Sequence, residues 1–131
     1  MTAAEMNAKY DLEERPLDFT CGVIDVVESL VRSRAGNHVG GQLIKSGTSP
    51  IANYAEAQSA ESRADFVHKL KVVLKELRES RVWLMVIDRK KLSNTPARVR
   101  EMLSECEELI RIFRKSIDTA ERNKHAGRPE E

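Results

Sequence analysis

One segment of the sequence repeats core-type residues at the spacing of an α-helix without a break. The repeat runs from Phe66 to Ile87, and Ser80 is its polar member. A second segment, from Val99 to Ala120, keeps the same alternation of three and four residues. Helices of this kind bury one apolar face against neighbouring helices. The sequence therefore predicts an all-α protein built from packed amphipathic helices.

Two further helices are predicted before these, over residues 16–34 and 38–58, with a short stop between them at Ala35, Gly36 and Asn37. The third helix begins after Ser62, which starts a capping-box-like pattern, and the fourth begins at Pro96, where a proline fits the first helical turn. The fourth helix is expected to end near Arg122. Because the connections are short, consecutive helices should be antiparallel neighbours. The predicted fold is an antiparallel up-down four-helix bundle.

A chain of 131 residues is expected to form one domain. We predict an N-terminal arm at residues 1–15, a bundle domain at 16–122 and a disordered C-terminal tail at 123–131. No apolar run is long enough to span a membrane and the N-terminus is polar, so a cytoplasmic location is expected. Cys21 and Cys106 are predicted to be reduced core residues, and a disulfide between them is the less favoured alternative.

The second predicted helix carries a polar edge beside an apolar edge that contains Gly47 and Pro50. This edge either forms hydrogen bonds to another helix or contacts a partner. For Glu56, which ends this edge, we favour a buried or half-buried acid bonded to an arginine of a neighbouring helix over a catalytic acid. The members of this polar stripe are Gln42, Ser46, Ser49, Asn53 and Glu56.

Charge is unevenly distributed although the net charge is only +1. Residues 1–33 carry 3 basic and 7 acidic side chains, whereas residues 61–91 carry 9 basic and 5 acidic ones. Four basic residues of the third helix share one face and form a basic ridge that could contact phosphates. Pairing with the acidic first helix is the alternative for this ridge. The ridge consists of His68, Lys71, Lys75 and Arg78.

Trp83 lies off the apolar repeat of the third helix, so it is either an interface anchor or packed against the second helix. The sequence shows no converging set of metal ligands, no glycine-rich phosphate loop and no nucleophile paired with a base. We therefore expect no cofactor, no metal site and no enzymatic activity.

Residues 41–84 resemble a bacterial four-helix-bundle family. This family includes the ribosomal-RNA intervening-sequence proteins and the accessory variability protein of diversity-generating retroelements. The matching pieces include Gln42, the Ser46–Ser49 step and the Asn53–Glu56 run. The resemblance implies an up-down bundle that assembles as a pentameric ring and has no known catalytic activity. It also implies nucleic acid and a reverse transcriptase as partner classes.

Together, these observations predict a non-enzymatic homo-oligomeric bundle, with a pentamer as the first size to test. It would act as a binding or accessory module that contacts RNA or DNA through the basic ridge. The alternative is a protein-interaction or structural oligomerisation module with no nucleic-acid role. That module would use the polar stripe or Trp83 to hold subunits or a partner protein.

Overall fold

Four α-helices make up the computed structural model, which describes residues 12–125 and the side chains of residues 12–123. The rest of the predicted arm and tail lies outside the described residues. Strands are absent from the described range, so the predicted all-α class is confirmed. The helices are α1 at Arg15–Glu28, α2 at Arg34–Gln58, α3 at Arg63–Lys90 and α4 at Pro96–His125.

The two long helices begin where the sequence predicts. Ser62 is the N-cap of α3, and its Oγ accepts a hydrogen bond of 3.1 Å from the Asp65 backbone N–H. Pro96 is the first residue of α4, a position where an N–H would have no partner within the helix. At the other end of α3, Lys91 adopts the left-handed conformation with a φ of 54° and closes the helix.

Helix α1 ends at Glu28, earlier than the predicted end at residue 34. The residues that follow it pair with the α3–α4 connection instead of continuing the helix. The Val31 N–H donates to the Leu92 carbonyl oxygen at 2.8 Å. This contact between segments distant in sequence competes with helix formation and stops α1.

Helix α2 begins at Arg34, earlier than the predicted start at residue 38. Ser33 is its N-cap, and the Ser33 Oγ accepts a hydrogen bond of 3.0 Å from the Gly36 N–H. Gly36 thus belongs to the first turn and does not stop a helix. A Cβ at this position would lie 2.0 Å from the Val31 carbonyl oxygen, which explains why glycine stands here.

Each helix packs principally against two others, in the pairs α1–α2, α2–α3, α3–α4 and α1–α4. Two ion pairs join α3 to α4: Lys71 pairs with Glu121, and Arg81 pairs with Glu107. Higher residue numbers in α3 therefore pair with lower residue numbers in α4, as an antiparallel pair of helices requires. This arrangement confirms the up-down bundle and places the α1–α2 groove opposite the α3–α4 groove.

Aliphatic and aromatic side chains from all four helices fill the core. The rings of Tyr54 and Phe113 meet edge to face, with centroids 5.5 Å apart. Pro50 is buried inside α2, which continues past it to Gln58. Leu12, in the predicted arm, is also fully buried. The core therefore begins before residue 16.

Candidate nucleic-acid interface

The four residues of the predicted basic ridge all lie exposed on α3, on the side away from its buried positions. Their spacing of three and four residues keeps them on one outward face of the helix. The structure therefore presents the positive charge of this segment to solvent as one continuous row. The members of the row are His68, Lys71, Lys75 and Arg78.

Helix α4 compensates part of the charge on the ridge. Lys71 Nζ lies 2.8 Å from a carboxylate oxygen of Glu121. Within the described part of the chain, His68, Lys75 and Arg78 have no ion-pair partner. Pairing with the acidic first helix was the sequence-based alternative, yet the pair that forms involves α4. Most of the ridge remains available to an external anion.

A surface hollow of about 560 Å³ lies along α4 beside the ridge. Its wall contains Glu121, so the Lys71–Glu121 pair joins the ridge to the hollow. Sequence reasoning missed this basic region because acidic residues alternate with basic ones along helix four. The lining residues are Arg111, Arg114, Lys115, Asp118, Glu121 and Arg122.

The polar stripe on α2 contacts α3 of the same chain at Ser46. Ser46 is fully buried, and its hydroxyl oxygen lies 2.9 Å from that of Ser80, which is also fully buried. The Asn53 side-chain amide donates to the Ser49 hydroxyl at 2.9 Å, within the helix. Gln42, Ser49 and Asn53 are half-buried. Ser46 is therefore bonded to a neighbouring helix of the same subunit, whereas Ser49 and Asn53 bond to each other along α2.

Glu56 differs from its predicted environment. It is exposed rather than buried or half-buried. Its carboxylate pairs at 3.0 Å with Lys69 of α3, and not with an arginine. An exposed ion pair of this kind contributes little to stability. Nothing in this geometry would prepare Glu56 to act as an acid catalyst.

Trp83 is half-buried and packs against the core. Its ring meets the ring of His38 of α2 nearly at right angles, with centroids 6.2 Å apart. The indole Nε1 is buried and finds no hydrogen-bond partner among the described residues. Of the two sequence-based interpretations, packing against the second helix within one subunit describes this environment.

Two apolar side chains of α1 and one in the segment that follows it are exposed. Ile24 and Val31 are 40% and 51% exposed, and Leu17 is 46% exposed. Cys21, on the same helix, is exposed as well and is not the core residue that was predicted. Leu17 and Ile24 are one heptad apart and therefore lie on the same flank of α1. We call Leu17, Ile24 and Val31 the α1 apolar patch.

Two buried titratable groups are held in their protonated forms. Burial raises the pKa of the Cys106 thiol to about 12, and the thiol donates to the Leu77 carbonyl oxygen at 3.2 Å. Burial and the nearby Glu13 carboxylate raise the pKa of the Tyr54 hydroxyl to about 12. Both groups lie in the core, away from the ridge. They stabilise the packing and are not poised for proton transfer at neutral pH.

The described residues form neither a metal-binding cluster nor a membrane-spanning helix. No group of three or more His, Cys, Asp and Glu side chains there is arranged to hold a metal ion. None of the described helices has both the length and the apolarity needed to cross a bilayer.

Residues 9–115 match the model of the 23S rRNA-intervening sequence protein family. Among solved structures, the chain is similar to a protein of unknown function from the S23 ribosomal protein family of Bacteroides thetaiotaomicron. The two share 30% identity with a TM-score of 0.73, over 80% of this chain and 96% of the other. A comparison with curated proteins finds no match. The two matches include most of the bundle.

Proposed function

The chain belongs to the 23S rRNA-intervening sequence protein family, as residues 41–84 predicted, and from that membership we propose a non-enzymatic, homo-oligomeric nucleic-acid-binding module. The observation that carries the proposal is the basic ridge on α3, where Lys75 and Arg78 are exposed without an ion-pair partner among the described residues. The name of the family model refers to ribosomal RNA, which makes RNA the first ligand to test.

Electrostatics favour weak binding by each copy. Lysine and arginine contacts to phosphates release condensed counterions, so affinity falls as salt rises. With a net charge of +1, one chain offers few such contacts. Several copies on one strand would multiply a weak contact through effective concentration. Self-association is therefore part of the same proposal, with a pentamer as the first assembly size to test.

The α1 apolar patch supports self-association. Leu17 and Ile24 are exposed on the same flank of α1, and apolar side chains aligned on the surface of a small protein favour an interaction with another chain. Beside Val31, a groove of about 290 Å³ between α1 and α2 is lined by Ile44 together with the oppositely charged Glu28 and Arg32. A surface that combines apolar side chains with both signs of charge can complement a second copy of itself. A second copy of this chain is the occupant that we propose.

The test of nucleic-acid binding replaces two ridge lysines. Lys71→Glu combined with Lys75→Glu should abolish salt-sensitive binding of a short RNA or DNA duplex, measured by fluorescence anisotropy at low and moderate salt. Arg34→Glu combined with Lys45→Glu is the matched control, because both residues are exposed on α2 and the change in charge is equal. Binding that is unchanged in the ridge variant, with the fold intact by circular dichroism, would eliminate the ridge as the site.

A second candidate function is a protein-interaction or structural module with no nucleic-acid role. The exposed α1 apolar patch favours it, since that surface needs no phosphate to be useful. Native mass by light scattering, with and without RNA, separates the two functions. An oligomer that ignores RNA and DNA at every salt concentration would favour the second candidate. A complex whose mass rises with RNA at low salt would favour the first.

A further inference from the structure

The facing flanks of α3 and α4 carry two ion pairs that fix how the helices align. Lys71 pairs with Glu121 at 2.8 Å, and Arg81 pairs with Glu107 at 3.2 Å. Between these pairs the flanks continue, because residues one heptad apart lie on the same side of a helix. The two ion pairs therefore fix the register of the two helices in the stretch of the α3–α4 groove that lies between them.

Two arginines lie in this stretch of the groove. Arg78 lies one heptad after Lys71, and Arg114 lies midway between Glu107 and Glu121, one heptad from each. Since the helices are antiparallel, this register brings Arg78 and Arg114 to facing flanks at the same height. The groove thus has two cation–anion pairs with two cations between them.

Neither arginine is neutralised within the described part of the chain. Arg78 and Arg114 are both exposed and have no ion-pair or hydrogen-bond partner there. Facing like charges repel each other, so a bound anion would relieve the repulsion. Arg114 also lines the α4 hollow, where Lys115 and Arg122 add positive charge and Asp118 and Glu121 add negative charge. Arg111, at the same hollow, is already paired with Glu108. An anion at Arg114 would therefore find cations on both helices.

We propose that Arg78 and Arg114 together bind one phosphate group across the α3–α4 groove. The planar guanidinium presents a fork of N–H donors that matches two phosphate oxygens. Two such forks from neighbouring helices enclose one phosphate in a way that a single row of lysines does not. This inference rests on the proposed function, because the phosphate would belong to an RNA or DNA strand that continues along the basic ridge.

The test uses Arg78→Gln, Arg114→Gln and the double variant in the full chain, with RNA binding measured over a range of salt. Each single change should weaken binding about tenfold and lower the salt dependence by about one phosphate contact. The double variant should lose much less than the product of the two single losses, because both arginines hold the same phosphate. Arg89→Gln is the matched control, since Arg89 is exposed near the end of α3, outside the clamp.

A second measurement separates the clamp from nucleic-acid binding as such. Inorganic pyrophosphate is titrated while the side-chain Nε–H resonances of Arg78 and Arg114 are followed by NMR. Shifts in both resonances without any binding of RNA or DNA would keep the phosphate clamp and overturn the nucleic-acid function. RNA binding that is lost in the ridge variant but unchanged in all three arginine variants would overturn the clamp and keep the function.

Two other outcomes also decide the matter. Losses of the two single variants that multiply fully in the double variant would mean separate contacts and would overturn a shared phosphate. Binding of a polyglutamate peptide that depends on Arg78 and Arg114, with no such dependence for RNA, would overturn the clamp in favour of an acidic protein partner.

Discussion

The two cysteines lie in opposite environments for thiol chemistry. Cys106 is fully buried, and its thiol donates to the Leu77 carbonyl oxygen at 3.2 Å. Burial raises its pKa to about 12, so the thiolate is scarce at neutral pH. Cys21 is exposed on α1. Because the thiolate is the reactive species and needs access to the reagent, the fold itself separates an inert thiol from an accessible one.

We therefore expect a thiol-reactive chromogenic disulfide at pH 8 to modify Cys21 in the native protein and to leave Cys106 untouched. Since burial raises the folded-state pKa of Cys106 to about 12, its thiol should stay protonated and protected at this pH. Adding denaturant should release the second equivalent of colour. The Cys21→Ser variant is the control and should show no native reaction. Rapid modification of both thiols in the folded protein would contradict the buried placement of Cys106.

At the scale of elements, the α1–α2 contact depends on a glycine. A Cβ at Gly47 would lie 2.6 Å from one methyl carbon of Val23 and 2.9 Å from the other. Valine is β-branched and has little rotamer freedom, so it cannot easily move aside. Gly41, on the same helix, has nothing within 4 Å of an added Cβ. The two glycines therefore test close packing and intrinsic helix propensity separately.

Gly47→Ala should lower the free energy of unfolding by about 1–3 kcal/mol, because the extra methyl group overpacks the contact with Val23. Gly41→Ala, the matched control, should raise it by about 0.5–1 kcal/mol through helix propensity alone. Urea denaturation followed by circular dichroism measures both. If Gly47→Ala were as stabilising as Gly41→Ala, the close approach of the two helices would be wrong.

Sequence periodicity was sufficient for the long elements and insufficient where distant segments interact. The repeat from Phe66 to Ile87 and the cap at Ser62 follow from local rules, and both are present. The early end of α1 depends on the backbone bond from Val31 to Leu92, which no local pattern reveals. Glycine commonly ends helices, so the sequence predicts a stop at Gly36. The actual reason for this glycine is its close approach to the Val31 carbonyl oxygen, which exists only in the folded chain.

The candidate site divides in the same way. Helical spacing alone placed the ridge residues on one exposed face of α3. The contribution of α4 was missed, because Arg114 stands among acidic residues in sequence and becomes significant only through its register with Arg78. The exposure of Ile24 was also missed, since a short helix with apolar residues on two flanks does not reveal which flank faces the core.

At the scale of the whole molecule, the surface has two unlike sides. The α1–α2 side carries the α1 apolar patch, whereas the α3–α4 side carries the ridge and the arginine pair, with one exposed apolar residue, Val82, on α3. Because the two grooves lie on opposite sides of the bundle, copies that associate through the first side would keep the second exposed. This arrangement is compatible with self-association and nucleic-acid binding at the same time.

The final prediction follows from this division. Leu17→Glu combined with Ile24→Glu places charge in the α1 apolar patch, and light scattering should then give the monomer mass of 14.8 kDa in place of an oligomer. Both side chains are already substantially exposed, so the bundle should stay folded. Ala97→Glu with Ser104→Glu is the control, since these exposed α4 residues have the same heptad spacing and receive the same charge.

The same variant should also bind RNA about a hundredfold more weakly than the oligomer, although its ridge is intact, because avidity is lost. Residual binding by the monomer should still weaken as salt rises and should still require Lys75. Anisotropy at several salt concentrations, with and without Lys75→Glu, measures both dependences. A wild-type protein that is monomeric, or a patch variant that stays oligomeric, would exclude the patch as the subunit contact. Equal RNA affinity of monomer and oligomer would mean that each ridge acts alone.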